Sequence, residues 1–265
     1  MTKNLLITSS QKGGVGKTFL ANVLLDLYRQ KNMPVDAFDG DGSIGGLISI
    51  HGTRLTDGEI AIEQDPSCGV APYDIRDHNS RAQLINSLET DADIILHDLA
   101  GGSLGDLCML FGDDPATGLL GLDEVLEDLK VNLTILHLIT RDEGSVASVE
   151  LFLSLTEGCE RIRHIAVINW HRARETDLWL WFGTGNGDHG GQTRNLFLHR
   201  GGLEMSIPDL DDSTAAILTS AAIPFSVAIE QRSLSLLHRQ RSKLFFRTFE
   251  AGLSDEVRDR LGLAV

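Results

Sequence analysis

The chain has 265 residues, 42% hydrophobic and 23% charged, which excludes wholesale disorder and fits one large α/β domain. Acidic residues outnumber basic ones 38 to 23, a formal net charge of −15, which excludes a surface that coats nucleic acid or anionic membrane as a whole and leaves only local basic contacts. Three scattered cysteines (Cys68, Cys108, Cys159) exclude a disulfide framework or a CxxC zinc site, and the lack of a signal pattern or of an apolar run near the roughly 18 residues that span a bilayer leads us to expect a cytoplasmic protein.

In chain order, a short apolar strand is expected at 5–9, followed by a glycine-rich turn and a helix of 3.6-residue periodicity at 17–30. A strand at 35–39, a weaker one at 69–73, a helix at 80–88 and a strand at 94–98 come next. Helices at 118–129 and 145–155 bracket a strand at 133–139, and a further strand falls at 165–169. After a strand at 203–207, helices are expected at 212–221 and 233–251. β-rich runs alternating with helical ones predict a doubly wound, mostly parallel sheet with helices on both faces. Residues 170–202 hold all three tryptophans and a Gly/Asn/Asp/His stretch, and read as an insertion with a mobile loop. Within it, residues 185–190 spell GxGxxG, but without the strand-to-helix turn that a dinucleotide fingerprint needs, so a flexible loop is the better reading.

The strongest chemical signal is Gln11-Lys12-Gly13-Gly14-Val15-Gly16-Lys17-Thr18, which follows a strand and opens a helix. Glycines let backbone N–H groups turn inward, and these with the helix N-terminus make an anion cradle from Gly13 through Phe19. Lys17 should reach the β- and γ-phosphates of a nucleotide, and the Thr18 hydroxyl should ligate Mg²⁺. Ligands of open α/β sheets sit beyond the C-terminal ends of strands, and two carboxylate sites lie there: Asp39-Gly40-Asp41-Gly42-Ser43 and Asp98 at the end of Ile94-Ile95-Leu96-His97.

The loop departs from GxxxxGK[ST]: Gln11 replaces the first glycine, and a second lysine, Lys12, stands near its start. It resembles the deviant Walker A loop, KGGxGK[ST], of the ParA/MinD superfamily of P-loop ATPases, and Gln11 places it closer to the ParA branch. The resemblance implies a single P-loop ATPase domain over 1–265 that binds ATP and Mg²⁺ and forms a nucleotide-sandwich homodimer. It further implies that Lys12 reaches the partner's phosphates. Asp39 and Asp41 resemble the family's DxDxQ segment and by that likeness order the attacking water and the Mg²⁺ shell, their roles undivided. Gly42-Ser43 replaces the usual Pro-Gln. Asp98 matches the Walker B carboxylate that holds Mg²⁺, directly or through water, with Gly101-Gly102 as the loop that senses the γ-phosphate. Leu99-Ala100 stands where Thr-Pro is usual. Asn169 occupies the place of the asparagine that bonds the adenine edge, Ser206-Ile207-Pro208-Asp209 resembles the segment that packs on the base through Pro208, and Ala222-Ile223-Pro224 resembles the turn before the last helices. The absence of [NT]KxD after the 165–169 strand favours ATP over GTP.

The expected activity is slow, partner-stimulated hydrolysis of ATP to ADP and phosphate, serving partition or positioning of a plasmid, chromosome or protein assembly. One alternative is a conjugation or secretion accessory ATPase that acts only on protein partners. Others are an iron–sulfur reductase related to the nitrogenase iron protein, with Cys68 and Cys108 as ligands, and a nucleotide-binding scaffold that does not hydrolyse. Arg232, Arg239, Arg241, Lys243 and Arg247, with Leu234, Leu237, Leu244 and Phe245 as an apolar face, make a candidate surface for nonspecific DNA. Arg161, Arg163, Arg172 and Arg174 would extend it. Residues 254–265 lack the large apolar anchors of a terminal membrane helix.

Overall fold

The computed structural model describes residues 2–10, 13–42, 45–112, 114–184 and 190–264. Strands β1 (Lys3–Ser9), β2 (Val35–Gly40), β3 (Ala71–Pro72), β4 (Ile94–Leu99), β5 (Val131–Ile139), β6 (Ile162–Asn169) and β7 (Leu203–Ile207) form one parallel sheet in the order β3-β2-β4-β1-β5-β6-β7. The helices are α1 (Lys17–Gln30), α2 (Gly46–His51), α3 (Gln83–Asn86), α4 (Leu104–Cys108), α5 (Pro115–Asp128) and α6 (Glu143–Leu155), followed by α7 (Trp179–Phe182), α8 (Gln192–His199), α9 (Asp212–Ala221), α10 (Phe225–Glu230), α11 (Leu236–Ala251) and α12 (Asp255–Arg260).

The strands are mostly apolar and largely buried because both faces of the sheet are covered. Side chains alternate across it. Leu6, Leu96, Leu136 and Leu138 pack with α1 and the C-terminal helices, whereas Leu5, Ile7, Ile95 and Ile135 pack with α5 and Phe152 of α6. The last helix closes this core with Val257, Leu261 and Leu263, and Tyr28 of α1 donates its hydroxyl to the Leu261 carbonyl at 2.7 Å. Among the described residues no helix is long and apolar enough to cross a membrane.

Three expected elements change. The strand at 69–73 is reduced to Ala71–Pro72 at the sheet edge, where Pro72 brings no N–H to the ladder. The helix at 80–88 becomes α3 and a 3₁₀ turn at Ser87–Glu89, because the Ser87 hydroxyl turns back to the Leu84 carbonyl (2.7 Å) and meets the His97 ring (3.0 Å). Residues 170–202 carry the helices α7 and α8 and bury Trp181 and Phe197 against Val149, Leu153 and Ile168. Trp181 donates its indole N–H to Glu204, which Arg194 also clamps at 2.7 Å. Residues 185–189 of the expected loop lie outside the described residues.

From β1 the chain leads to one side through β2, β3 and β4, and to the other through β5, β6 and β7. The C-terminal ends of β1, β2, β4, β5 and β6 therefore face one crevice at the reversal of strand order, where open α/β sheets bind ligands.

Candidate functional site

The turn from β1 into α1 lies in this crevice. Gly14 and Gly16 have φ of +75° and +104°, conformations that strain any residue with a Cβ. The space above Gly13 and Gly14 is open, since a Cβ there would meet nothing within 4 Å. No side chain caps α1 and no acid occupies its first turn, so the backbone N–H groups of Lys17, Thr18 and Phe19 keep their positive end of the helix dipole for an anion. The Lys17 side chain is buried; desolvation lowers its pKa, and the charges of Asp98 and Asp41 oppose that shift. Lys12 and Gln11, like Ser43 in the second loop, lie outside the described residues.

Parallel register brings the carboxylates to this turn. Asp98 is aligned with Thr8 on β1 and with Asp39 on β2. The Thr8 hydroxyl donates to Asp98 at 2.6 Å, and the Thr18 side chain also bonds to it. Burial nevertheless pushes the Asp98 carboxyl up to about 6, with the Asp39 charge adding to the shift. Asp39 is buried and committed: one oxygen accepts the N–H groups of Leu47 (2.9 Å) and Ile48 (3.0 Å) at the start of α2, the other that of Asp41 (3.3 Å). Asp41 points outward, pairs with Arg76 at 3.2 Å and is half exposed. The Gly102 N–H donates to the Ser10 carbonyl (3.0 Å), which ties the loop after β4 to the loop after β1. The Thr18–Asp98 pair could hold a divalent cation that completes its shell with phosphate oxygens and water. No group of three or more His, Cys, Asp or Glu side chains that could hold a metal by itself exists among the described residues.

On the other side of Gly14 lies a mostly apolar slot of about 160 Å³, lined by Val15, Phe19, Asn169, Ile207, Pro208 and Leu210 among others. Phe19 is anchored edge-on to Phe225 and Phe245, with centroids 5.7 and 5.5 Å away. Asn169 serves the loop: its amide donates to the Val15 carbonyl (3.0 Å) and its oxygen accepts the His171 N–H (3.0 Å). Arg172, at a φ of +52°, pairs with Asp212 at 2.7 Å, and His171 approaches Asp209, so the rim joins the ends of β6 and β7. A second cavity of about 340 Å³ adjoins Gly13 and Gly14 and is bordered by Arg141, Asp142, His171 and Arg172.

The structure thus brings together Gly13, Gly14, Val15, Gly16, Lys17, Thr18, Phe19, Asp39, Asp41, Asp98, Asn169 and Pro208. Sequence reasoning missed Thr8, one of two adjacent hydroxyl residues at the end of β1, and Arg76, which no spacing signals. The cysteines do not converge in character. Cys108 is buried in the α4–α5 crossing, its thiol pushed up to about 11 by burial, whereas Cys68 is exposed.

The expected basic surface is also rearranged. Phe245 is buried, whereas Leu236, Leu237 and Leu244 are 63%, 56% and 67% exposed, and Arg241 pairs with Asp211 at 2.7 Å. Arg161 and Arg163 lie at the start of β6 and Arg172 and Arg174 beyond its end, about 25 Å away at the rise of a strand, so they form no single patch. Arg161 is paired with Glu127.

No protein-family model matches the chain, and no curated protein matches it. Among solved structures, the septum site-determining protein MinD of Pyrococcus horikoshii OT3, complexed with Mg-ADP, aligns over 98% of this chain and 99% of that one, at 15% identity and a TM-score of 0.50. A variant of McdA from Cyanothece, complexed with ATP, aligns over 100% and 98%, at 14% identity and a TM-score of 0.48. A plasmid partition protein from Borrelia burgdorferi aligns over 94% and 100%, at 14% identity and 0.44. The Pyrococcus alignment gives this chain the doubly wound α/β fold of that MinD.

Proposed function

We propose that this chain, with the fold of MinD, is a ParA/MinD-type ATPase with a deviant Walker A loop, closer to the ParA branch, and that it acts as a dimerising switch which hydrolyses Mg-ATP to ADP and phosphate. The observation that carries the reading is the placement of buried Lys17 below the uncapped start of α1, next to the Thr18–Asp98 pair. In this reading the N–H groups from Gly13 to Phe19 cradle the phosphates, and Lys17 neutralises charge as it develops on the transferred phosphoryl group. Thr18 and Asp98 hold Mg²⁺, and the fit is supported by a desolvated carboxyl raised to about 6, which lacks a full compensating charge. When bound, the ion polarises the phosphoryl oxygens. Asp41, outward and solvated, orients the attacking water, whereas Asp39 holds α2. The base enters the slot between Asn169 and Pro208, and Lys12 reaches the partner's phosphates.

The dimer is tested by light scattering with a non-hydrolysable ATP analogue. A dimer with the analogue and a monomer with ADP are expected, and Lys12→Ala should stay monomeric. If Lys12→Ala dimerised as readily as the parent, its action in trans would be ruled out.

The cellular role is positioning or partition of a plasmid, chromosome or protein assembly, with hydrolysis stimulated by a partner. The exposed leucines of α11 among basic residues favour a protein partner over a purely phosphate-binding face, which supports the accessory-ATPase alternative. A mobility shift of nonspecific DNA that requires ATP and falls steeply with salt would instead favour DNA binding through Arg232, Lys243 and Arg247.

A further inference from the structure

Arg76 joins the two loops that carry the outward carboxylate and the glycine pair. Its backbone is fixed against β2: Tyr73 N–H bonds to the Asp39 carbonyl, Ile75 N–H to the Gly40 carbonyl, and the Arg76 N–H to the Asp74 carboxylate (2.9 Å). From there the guanidinium divides. One nitrogen donates to Asp41 at 3.2 Å and the other to the Gly101 carbonyl at 3.0 Å. Gly102 is bonded in turn to Ser10 at the head of the phosphate loop. The charges of Asp41 and Arg76 both act on Lys17, which places this bridge beside the phosphate cradle. The Asp41 and Arg76 side chains are 52% and 49% exposed, so their ion pair is worth at most about 1 kcal/mol to stability. What the bridge supplies is orientation, because the rigid planar guanidinium holds two acceptors on separate loops at a fixed angle, which a flexible ammonium does not.

We infer that Arg76 is a positioning residue for hydrolysis, locking the Asp41 carboxylate and the loop at 99–102 into one arrangement relative to Lys17. The inference rests on the ATPase reading above. It predicts that Arg76 acts through Asp41, so the effects of removing each are not multiplicative.

A kinetic cycle of the parent, Arg76→Ala, Asp41→Asn and the double variant tests this, together with hydrogen exchange of the nucleotide-free proteins. Arg76→Ala should lower kcat about tenfold or more and leave KM for ATP within about threefold, since misplacement of a reacting group costs rate more than ground-state binding. The double variant should be no slower than Asp41→Asn, and Arg76→Lys should recover only part of the loss. Without nucleotide, the amides of residues 99–103 should exchange faster in Arg76→Ala at an unchanged melting temperature. Multiplicative effects, a change confined to KM, full rescue by Arg76→Lys, or unchanged exchange would each overturn the inference. If the parent itself released no phosphate, the ATPase reading would fall, and the exchange result alone would decide whether Arg76 joins the loops.

Discussion

Among the described residues four histidines are buried, and together they should make the fold sensitive to mild acid. His51 bonds to Asn22 at 2.7 Å, His97 lies between Tyr73 and Ser87 at 2.8 and 3.0 Å, and His137 bonds to His164 at 2.9 Å, which also meets Thr156. Burial lowers His51 and His97 to about 3, His164 to about 4, and His137 well below its ordinary value. Their folded pKa values lie below the unfolded ones, so the unfolded chain takes up protons first, and stability falls as pH drops below about 6.5. From pH 7 to 5 each histidine should cost slightly under about 2 kcal/mol, or about 7.5 kcal/mol for the four. Buried carboxyls act the other way: Asp98, raised to about 6, takes up a proton in the folded state and returns about 1 kcal/mol over the same range, and burial raises Asp26, Asp36 and Asp39 in the same direction. The net loss, at most about 6 kcal/mol, approaches the whole stability of many domains. Urea unfolding followed by circular dichroism at half-unit pH steps measures it. A slope of at most about 4 kcal/mol per pH unit near pH 5.5 is expected, falling by about 1.2 kcal/mol per unit in His97→Gln. A His97→Gln variant whose slope equals that of the parent would refute the assignment of His97 as a neutral core group.

Three substitutions test the geometry of the site. Gly45→Ala would put a Cβ 2.0 Å from the Asp39 carboxylate and dislodge it from the start of α2; a loss of about 1–3 kcal/mol is expected from the urea midpoint, and an unchanged midpoint would contradict the capping role. Gly118→Ala would bring a Cβ to 1.6 Å from the Cys108 carbonyl, so the melting temperature should drop by several degrees as α4 and α5 separate; a full-stability variant would mean that this crossing is not tight. Asn169→Ala removes the bond to Val15 and should weaken ADP binding about tenfold by calorimetry with little change in stability. Unchanged affinity would show that the loop holds its shape without Asn169.

Legibility in the sequence followed the length and regularity of each element. The periodicity at 17–30 and 212–221 and the apolar run at 203–207 matched α1, α9 and β7 to the residue, because one face decides each of them. Helices of four to eight residues such as α2, α4, α7 and α10 were not visible, since a single turn has too few apolar positions to show a period. The tryptophan-rich stretch at 170–202 looked irregular because its core residues, Trp181 and Phe197, come from two short helices separated in sequence. In the site, the loop, Asp39 and Asp98 were legible because strand ends fix their place. The division between Asp39 and Asp41 was not. The proposed division follows which carboxylate α2 engages, and Asp39 meets the N–H groups of Leu47 and Ile48 only through tertiary folding. Arg76 was invisible for the same reason, since its partners lie 35 and 25 residues away.

The proposed hydrolysis of ATP in the cradle around Lys17 is measured directly by phosphate release from Mg-ATP. The parent should release phosphate in proportion to enzyme, and both Lys17→Ala and removal of Mg²⁺ with EDTA should abolish the release. A parent that releases none, or a Lys17→Ala variant as fast as the parent, would contradict the proposal.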